Sequence, residues 1–202
     1  MRSWWARLSR RGTEGLGAEE GRKARLLNQC AVLAIGSLAM FTAGYLIDIS
    51  RFRGILLVNV AAMALQGLVL WLVARGHRRA ALGLFLLANN GQMAIAVQYF
   101  GPQVGFHHYY FAFAAVVFLV TPKRDRFFWP FALVSLVLYL YAILGMSHDD
   151  ALIQVDSMFA MLVRVVCVIT TFGTLVLIGV LSDSDTREAE EGMAREHERS
   201  ES

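Results

Sequence analysis

One arginine lies inside a long apolar stretch, where a charged side chain is costly and is therefore expected to serve a function. Arg164 comes six residues after Met158 in the sequence Met-Phe-Ala-Met-Leu-Val-Arg. In a helix that starts at Met158, a rise of about 1.5 Å per residue places Arg164 roughly 9 Å below the membrane surface. Its guanidinium either extends back to that surface or pairs with an anion inside the protein. The candidate anions are an anionic ligand and the carboxylates of Asp48, Asp149, Asp150 and Asp156.

Imidazole and aromatic side chains cluster where the fourth apolar stretch begins, directly after the turn sequence Gly-Pro-Gln-Val-Gly. Aromatic walls with a few polar groups are typical of small-molecule sites, so we predict a ligand recess at this point. The residues assigned to it are His107, His108, Tyr109, Tyr110, Asp156 and Arg164. The expected ligand is a lipid-like or small amphipathic molecule whose anionic head is held by Arg164. The alternative is an aromatic belt that anchors the helix at the membrane interface.

Imidazole and carboxylate groups are also common metal ligands. The weak candidates for such a site are His108, His148 and Asp149. Adjacent residues such as His107 and His108 point about 100° apart on a helix, so they seldom bind one ion together. We therefore predict no metal and no cofactor, with a haem- or metal-binding redox-sensing module as the alternative. No nucleophile–base set or phosphate-binding loop is present, so no catalytic residue is predicted.

Four amide side chains lie at mid-depth in the second and third apolar stretches, namely Gln66, Asn89, Asn90 and Gln92. Amides inside a helix bundle usually form hydrogen bonds between helices. This interhelical role is the main interpretation, and a polar ligand cavity is the alternative. A transport path is disfavoured, because the sequence shows no pair of Gly/Pro-broken helices and no inverted repeat.

The elements that position these residues follow from the apolar stretches themselves. The chain has 202 residues, is 56% hydrophobic and 17% charged, and has a mean hydropathy of +0.50. Most of the stretches reach the ~20 residues that cross a hydrocarbon layer of ~30 Å. We predict an all-α membrane protein with six transmembrane helices. The stretches are 26–47, 54–74, 80–99, 107–121, 127–145 and 158–181.

Charge asymmetry predicts the orientation. Lys and Arg are concentrated in the first 25 residues, at 75–79, at 123–126 and in the tail, whereas 100–106 and 146–157 contain none. The first connection, 47–53, is also expected outside, although its Arg51 and Arg53 run against this pattern. By the positive-inside rule, both termini lie in the cytoplasm of a multi-pass protein of the bacterial inner membrane. The net charge of +3 resides in short patches at helix ends and therefore indicates no nucleic-acid partner. The predicted domains are a basic leader (1–24), a six-helix membrane domain (25–181) and a cytoplasmic signalling helix (182–202).

The tail that follows the last stretch contains no proline and has a weak heptad seam. Thr186, Ala189 and Met193 recur at spacings of three and four residues, which is typical of the contact side of a coiled coil. Gly192 and the polar seam make such a helix marginal alone. We therefore predict a stalk helix that pairs with a second copy in a homodimer.

Two segments resemble a known family. The tail sequence Glu196-His-Glu-Arg-Ser-Glu201 and the segment Gly105-Phe-His-His-Tyr-Tyr-Phe111 resemble bacterial class III adenylate cyclases that carry a six-helix membrane domain, such as those of mycobacteria. The resemblance implies a homodimer whose stalk helices lead to a catalytic domain, which uses Mg²⁺ or Mn²⁺ to convert ATP to cyclic AMP. None of the family's catalytic residues has a counterpart in this sequence.

The function expected from this resemblance is a membrane anchor and receptor domain of such a cyclase. A signal from the outer face or the bilayer would pass through the stalk helix to the output domain. The alternatives are the redox-sensing module, a passive anchor for another output domain, and a small transporter. The sequence assigns lipid and a small amphipathic ligand as partners but does not identify that ligand.

Overall fold

The structure is a computed structural model that describes residues 9, 11–121, 129–147 and 150–201. Every regular element in these ranges is helical, which confirms the predicted all-helical fold. Six α-helices match the six apolar stretches in position. They are α1 (Ala18–Tyr45), α2 (Ile49–Ala74), α3 (Arg78–Phe100), α4 (Tyr109–Val120), α5 (Trp129–Leu140) and α6 (Ser157–Glu201). A π-helical turn, Tyr141–Gly145, prolongs α5.

The helices differ in whether they are long enough to cross a bilayer. Three helical segments are long and apolar enough by length and composition: Glu19–Ala74, which contains both α1 and α2, then Arg78–Phe100, and Ser157–Val180. Phe106–Val120 and Trp129–Gly145 are shorter apolar helices. The chain is thus a helical protein with membrane-spanning capacity, whereas the count of six complete spans and the orientation of the termini remain predictions.

Two hydrophobic cores lie at opposite ends of the bundle. The first, called here the aromatic end, is built around Tyr45, Phe52, Phe100 and Phe106. The Tyr45 and Phe100 rings are 5.5 Å apart and stacked, and the Phe100 and Phe106 rings are also 5.5 Å apart. The second, called the leader end, contains Leu26, Leu27, Val73, Leu82 and Ile178. Aromatic rings bury much apolar area and prefer offset or edge-on contacts, so they account for much of the packing at the aromatic end.

The residues before α1 pack against the leader end. The Asn28 side chain is buried, and its Nδ2 donates to the carbonyl oxygens of Ser9 (3.2 Å) and Arg11 (3.0 Å). Gly12 has φ +73°, and a Cβ there would lie 2.5 Å from the Val73 oxygen. A residue with a side chain would therefore not fit between the leader and α2. Helix α1 begins at Ala18, inside the segment that the sequence assigns to the leader.

Helix α6 is the longest element, with 45 residues and no interruption. It includes the segment predicted to be a stalk, from Ser182 onward. Its buried residues in the membrane part are Ala160, Cys167, Thr171 and Ile178. Spacings of seven and four place them on one side of the helix. The other residues of α6 between Ser157 and Val180 are half-buried or exposed. The helix runs without interruption from the bundle core to Glu201.

Candidate functional site

Arg164 contacts the turn between α3 and α4. Its Nε donates to the backbone oxygen of Gln103 at 2.5 Å, and the residue is exposed. Gly105 has φ +88°, and a Cβ there would lie 3.0 Å from Arg164 Cγ and 3.3 Å from its Cα. The turn thus packs directly on α6. Among the described residues, the hydrogen-bond acceptor of Arg164 is this carbonyl and not a carboxylate.

The carboxylates considered as partners of Arg164 bind backbone groups near their own positions. Asp48 accepts from Arg51 N at 3.1 Å and so caps α2. Asp156 accepts from Phe159 N at 3.3 Å at the start of α6. Asp150 accepts from the backbone N–H of Ser147 at 2.7 Å and from its hydroxyl, and these bonds hold the pKa of Asp150 below its usual range. Asp149 lies outside the described residues.

The connection from α5 to α6 closes over the aromatic end. Leu152 N donates to the carbonyl of Gln98 at 3.1 Å, and Ile153 N donates to that of Tyr99 at 2.9 Å. Arg51 donates to the carbonyl of Gln154. The bonds from Leu152 and Ile153 satisfy carbonyl groups at the end of α3, which would otherwise lack partners. The three bonds together tie the connection to both α2 and α3.

The predicted histidines and tyrosines are packed side by side. The His107 and His108 rings are 4.2 Å apart, and the His107 ring is 5.7 Å from that of Tyr139. His107 is 7% exposed, and its buried Nδ1 has no hydrogen-bond partner in the described part of the chain. Tyr110 is also buried, with its ring edge-on to Phe113.

Tyr109 links α4 to α6. Its hydroxyl lies 2.5 Å from Thr170 Oγ1, and Thr170 Oγ1 donates to the carbonyl of Val166 at 2.7 Å. Because the threonine hydroxyl has a single proton, Tyr109 is the donor of the shorter bond. Tyr109 therefore fixes the position of α4 against α6.

Metal coordination gains no support from the described geometry. Among the residues that the structure describes, no group of three or more His, Cys, Asp or Glu side chains could hold a metal ion. His148 and Asp149 lie outside those residues, so their weak candidacy with His108 stays a prediction. Cys30 and Cys167 are both buried and free.

Two of the predicted intramembrane amides form hydrogen bonds between helices. Gln92 Nε2 on α3 donates to Asn59 Oδ1 on α2 at 3.1 Å, and Asn59 Nδ2 donates to Thr42 Oγ1 on α1 at 3.2 Å. Asn90 Oδ1 accepts from Ser135 Oγ on α5 at 2.8 Å. Sequence reasoning did not single out Asn59, Thr42 or Ser135. An asparagine inside the second apolar stretch, five residues after its start, was the available signal for Asn59.

Gln66 and Asn89 lack such partners. Gln66 on α2 is 0% exposed, and neither its Oε1 nor its Nε2 has a partner in the described residues. Asn89 Nδ2 donates within its own helix to the Phe85 carbonyl at 2.6 Å. Burying an amide without hydrogen-bond partners is unfavourable. The Gln66 side chain therefore lowers the free energy of unfolding.

A cavity opens between α1, α3, α4 and α6, with ≈ 590 Å³ of space including its mouth. Of the residues predicted to bind a ligand, Tyr109 lines it. Of the predicted intramembrane amides, Asn89 and Gln92 do. His107, His108, Tyr110, Arg164 and Asp156 are not among its lining residues. The lining side chains that sequence reasoning missed include Cys30, Ser37, Phe41, Met93, Phe113 and Thr174.

The described residues thus form an all-helical bundle with segments long and apolar enough to span a membrane, an internal cavity and a long last helix. The MASE7 family model matches residues 14–197, and the chain therefore belongs to the MASE7 family of membrane-associated sensor domains. A comparison with curated proteins finds no match.

Proposed function

We propose that this chain is the receptor and regulatory membrane domain of a bacterial class III adenylate cyclase. The family assignment supports a sensory role. The resemblance of Gly105–Phe111 and Glu196–Glu201 to membrane cyclases supports the class of the output domain. The observation that carries the proposal is the single unbroken helix α6, which joins buried contacts in the bundle to the stalk. In this proposal the chain lies in the inner membrane with both termini in the cytoplasm.

The proposed signal is a shift of α6. Tyr109 and the Gly101–Gly105 turn both contact α6, through Thr170 and Arg164. A ligand that binds better to one packing of these elements than to another shifts the population toward the packing it prefers. Because α6 is continuous, a displacement at Thr170 is carried to the stalk and changes the relative position of two attached catalytic domains.

The uncovered face of α6 supports the homodimer. The stalk seam of Thr186, Ala189 and Met193 can be extended toward the start of α6 in steps of seven residues. In the apolar part of the helix these steps reach the exposed side chains of Met158, Met161, Val165, Val168 and Phe172. The stalk seam and this stripe share one heptad register, which Gly179 and Ser182 interrupt between them, and a heptad register favours a left-handed pair of helices. A second copy is thus the proposed partner of this face.

Cysteine cross-linking in membranes tests the pairing. In a Cys30→Ala, Cys167→Ala background, Phe172→Cys is expected to form a disulfide-linked dimer upon oxidation. Leu133→Cys on α5 is the matched control, because Leu133 is 61% exposed and Phe172 68%. Equal cross-linking at the two positions, or none at Phe172, would argue against α6 as the dimer interface.

The output is tested by joining the chain, through Ser202, to a class III catalytic domain in cells that lack their own cyclase. Since the active sites of this class form between two catalytic domains, the fusion is expected to produce at least tenfold more cyclic AMP than the free domain. A fusion with no more activity than the free domain would contradict the proposal.

A further inference from the structure

We propose that the cavity between α1, α3, α4 and α6 binds a neutral amphiphile, made of one alkyl or isoprenoid chain that ends in a hydroxyl or carboxamide group. This inference deepens the proposed sensory function and rests on it for the link to α6. The site differs from the recess at His107, His108 and Arg164, because those residues do not line the cavity.

The burial pattern indicates a lateral entrance. The lining residues from α3 and α4, such as Phe85, Met93 and Phe113, are buried and form the floor. The lining residues Ala34 and Ser37 of α1 and Thr174 of α6 are only half-buried. The mouth therefore lies between α1 and α6, within apolar parts of both helices, and a molecule dissolved in the bilayer reaches it without crossing water.

The chemistry of the lining selects an uncharged ligand. No Lys, Arg, His, Asp or Glu side chain lines the cavity, and its ionisable groups are the Cys30 thiol and the Tyr109 hydroxyl. A charged head would lose its hydration without gaining a counter-charge.

Three polar groups give the ligand head a place to bind. The amide of Asn89 donates to Phe85 O, which leaves its Oδ1 as an acceptor at the cavity wall. The hydroxyls of Ser37 and Thr174 also belong to the lining, and neither takes part in the hydrogen bonds of the described residues. A hydroxyl or carboxamide head both donates and accepts, so it can pair with an amide oxygen or a hydroxyl group of this lining.

The cavity and the proposed dimer interface lie on different sides of α6. Thr174 is nine residues from Val165, and at about 100° per residue this separates them by roughly half a turn. A second copy seated on the Val165 stripe therefore leaves the mouth open to the bilayer. An occupant between α1 and Thr174 would displace α6 toward that copy, which is how binding would reach the stalk.

Photolabelling of the full chain in phosphatidylcholine nanodiscs tests the proposal directly, without a cyclase. The probe is dodecanol with a diazirine at mid-chain, and labelled residues are mapped by mass spectrometry. Label is expected on floor residues such as Met93 and Phe113, which the bilayer does not reach. A dodecyltrimethylammonium probe with the same diazirine is expected to label the floor at least tenfold less. Equal floor labelling by the two probes, or dodecanol label confined to exposed residues such as Leu133, would overturn the proposal.

Two matched leucine variants of α1 locate the mouth. Ala34→Leu narrows the mouth and is expected to reduce floor labelling at least tenfold. Ala39→Leu adds the same volume at an exposed position outside the lining and is expected to change nothing. If Ala34→Leu fails to fold, Thr174→Leu narrows the mouth from α6 and is interpreted in the same way. Undiminished floor labelling in a folded mouth variant overturns the site. A different result would contradict the proposed function and leave the site intact. In that result dodecanol labels the floor residues, but the cyclase fusion produces no more cyclic AMP than the free catalytic domain.

Discussion

At the scale of single residues, the polar groups of this protein fall into two kinds. Some have hydrogen-bond partners, as Asp150 has in Ser147 and Arg164 has in the Gln103 carbonyl. Others, such as Gln66 and His107, keep buried atoms without partners in the described residues. Buried polar atoms normally find partners, so the groups of the second kind lower the free energy of unfolding.

Gly105 is expected to be intolerant of any side chain. Gly105→Ala places a Cβ about 3.0 Å from Arg164 Cγ at a backbone with φ +88°. The left-handed conformation alone costs a non-glycine residue roughly 1–2 kcal/mol, and the close contact adds to that loss of unfolding free energy. Gly36→Ala is the control, because nothing lies within 4 Å of its added Cβ. Unfolding in mixed detergent measures both variants, and equal stability would contradict the packing of the turn on α6.

Arg164→Leu is expected to reduce the unfolding free energy by only about 0.5–1.5 kcal/mol, the usual range for one hydrogen bond. The reason is that Arg164 donates to a backbone carbonyl near the aromatic end and is exposed. Breaking a buried ion pair would cost more, roughly 3–5 kcal/mol. The same unfolding assay distinguishes the two cases, and a loss in the larger range would indicate a carboxylate partner.

At the scale of the helices, the amide network joins three of them. Asn59 on α2 contacts both Thr42 on α1 and Gln92 on α3. Asn59→Leu removes two hydrogen bonds, and interhelical bonds in membranes contribute about 0.6 kcal/mol each. A loss of roughly 1 kcal/mol is therefore expected. A double-mutant cycle with Gln92→Leu should show that the two losses are coupled, and strict additivity would argue against the bond.

Gln66→Leu is expected to have the opposite effect. Both polar atoms of Gln66 are buried without partners, so an apolar side chain of similar size removes a desolvation penalty of about 1–3 kcal/mol. The unfolding free energy should rise, in contrast to Asn59→Leu on the same helix. A destabilised Gln66→Leu protein would mean that the amide has a partner, such as an internal water molecule.

The stalk prediction also belongs to the scale of the helices. In the cyclase fusion, seven alanines inserted after Ala189 preserve the heptad phase, whereas five rotate everything downstream by a net angle of about 140°. We expect cyclic AMP production to be retained with seven and to change at least threefold with five. Equal activities would indicate a passive anchor, because such an anchor is insensitive to the phase of its linker.

At the scale of the whole molecule, charge asymmetry should govern insertion in the membrane. A phosphatase–fluorescent protein reporter pair fused after Ser202 is expected to read cytoplasmic, and one inserted at Ala151 external. These two positions flank α6, so they must lie on opposite sides if its apolar part, Ser157–Val180, spans the bilayer. A reading on the same side would contradict both the spanning of α6 and the signalling proposal.

The sequence by itself determined the helical class, the positions of the six helices and the continuity of the last one. A long apolar run in a bilayer must satisfy its own backbone, and a helix does this within the segment. The amide positions were also readable, because polar residues stand out in an apolar run. Their interhelical role was foreseen for Gln92 and Asn90, although not their partners.

Only the tertiary structure decided which side chains meet. The Thr42–Asn59–Gln92 chain depends on the rotation and relative depth of three helices, which no single apolar pattern encodes. The same holds for the cavity, whose lining comes from four helices. Arg164 shows the limit most clearly, since its acceptor is a backbone carbonyl and carbonyl groups carry no signature in the sequence. The docking of Ser9 and Arg11 on Asn28 is likewise made through carbonyls, and for the same reason the tertiary contacts alone determined it.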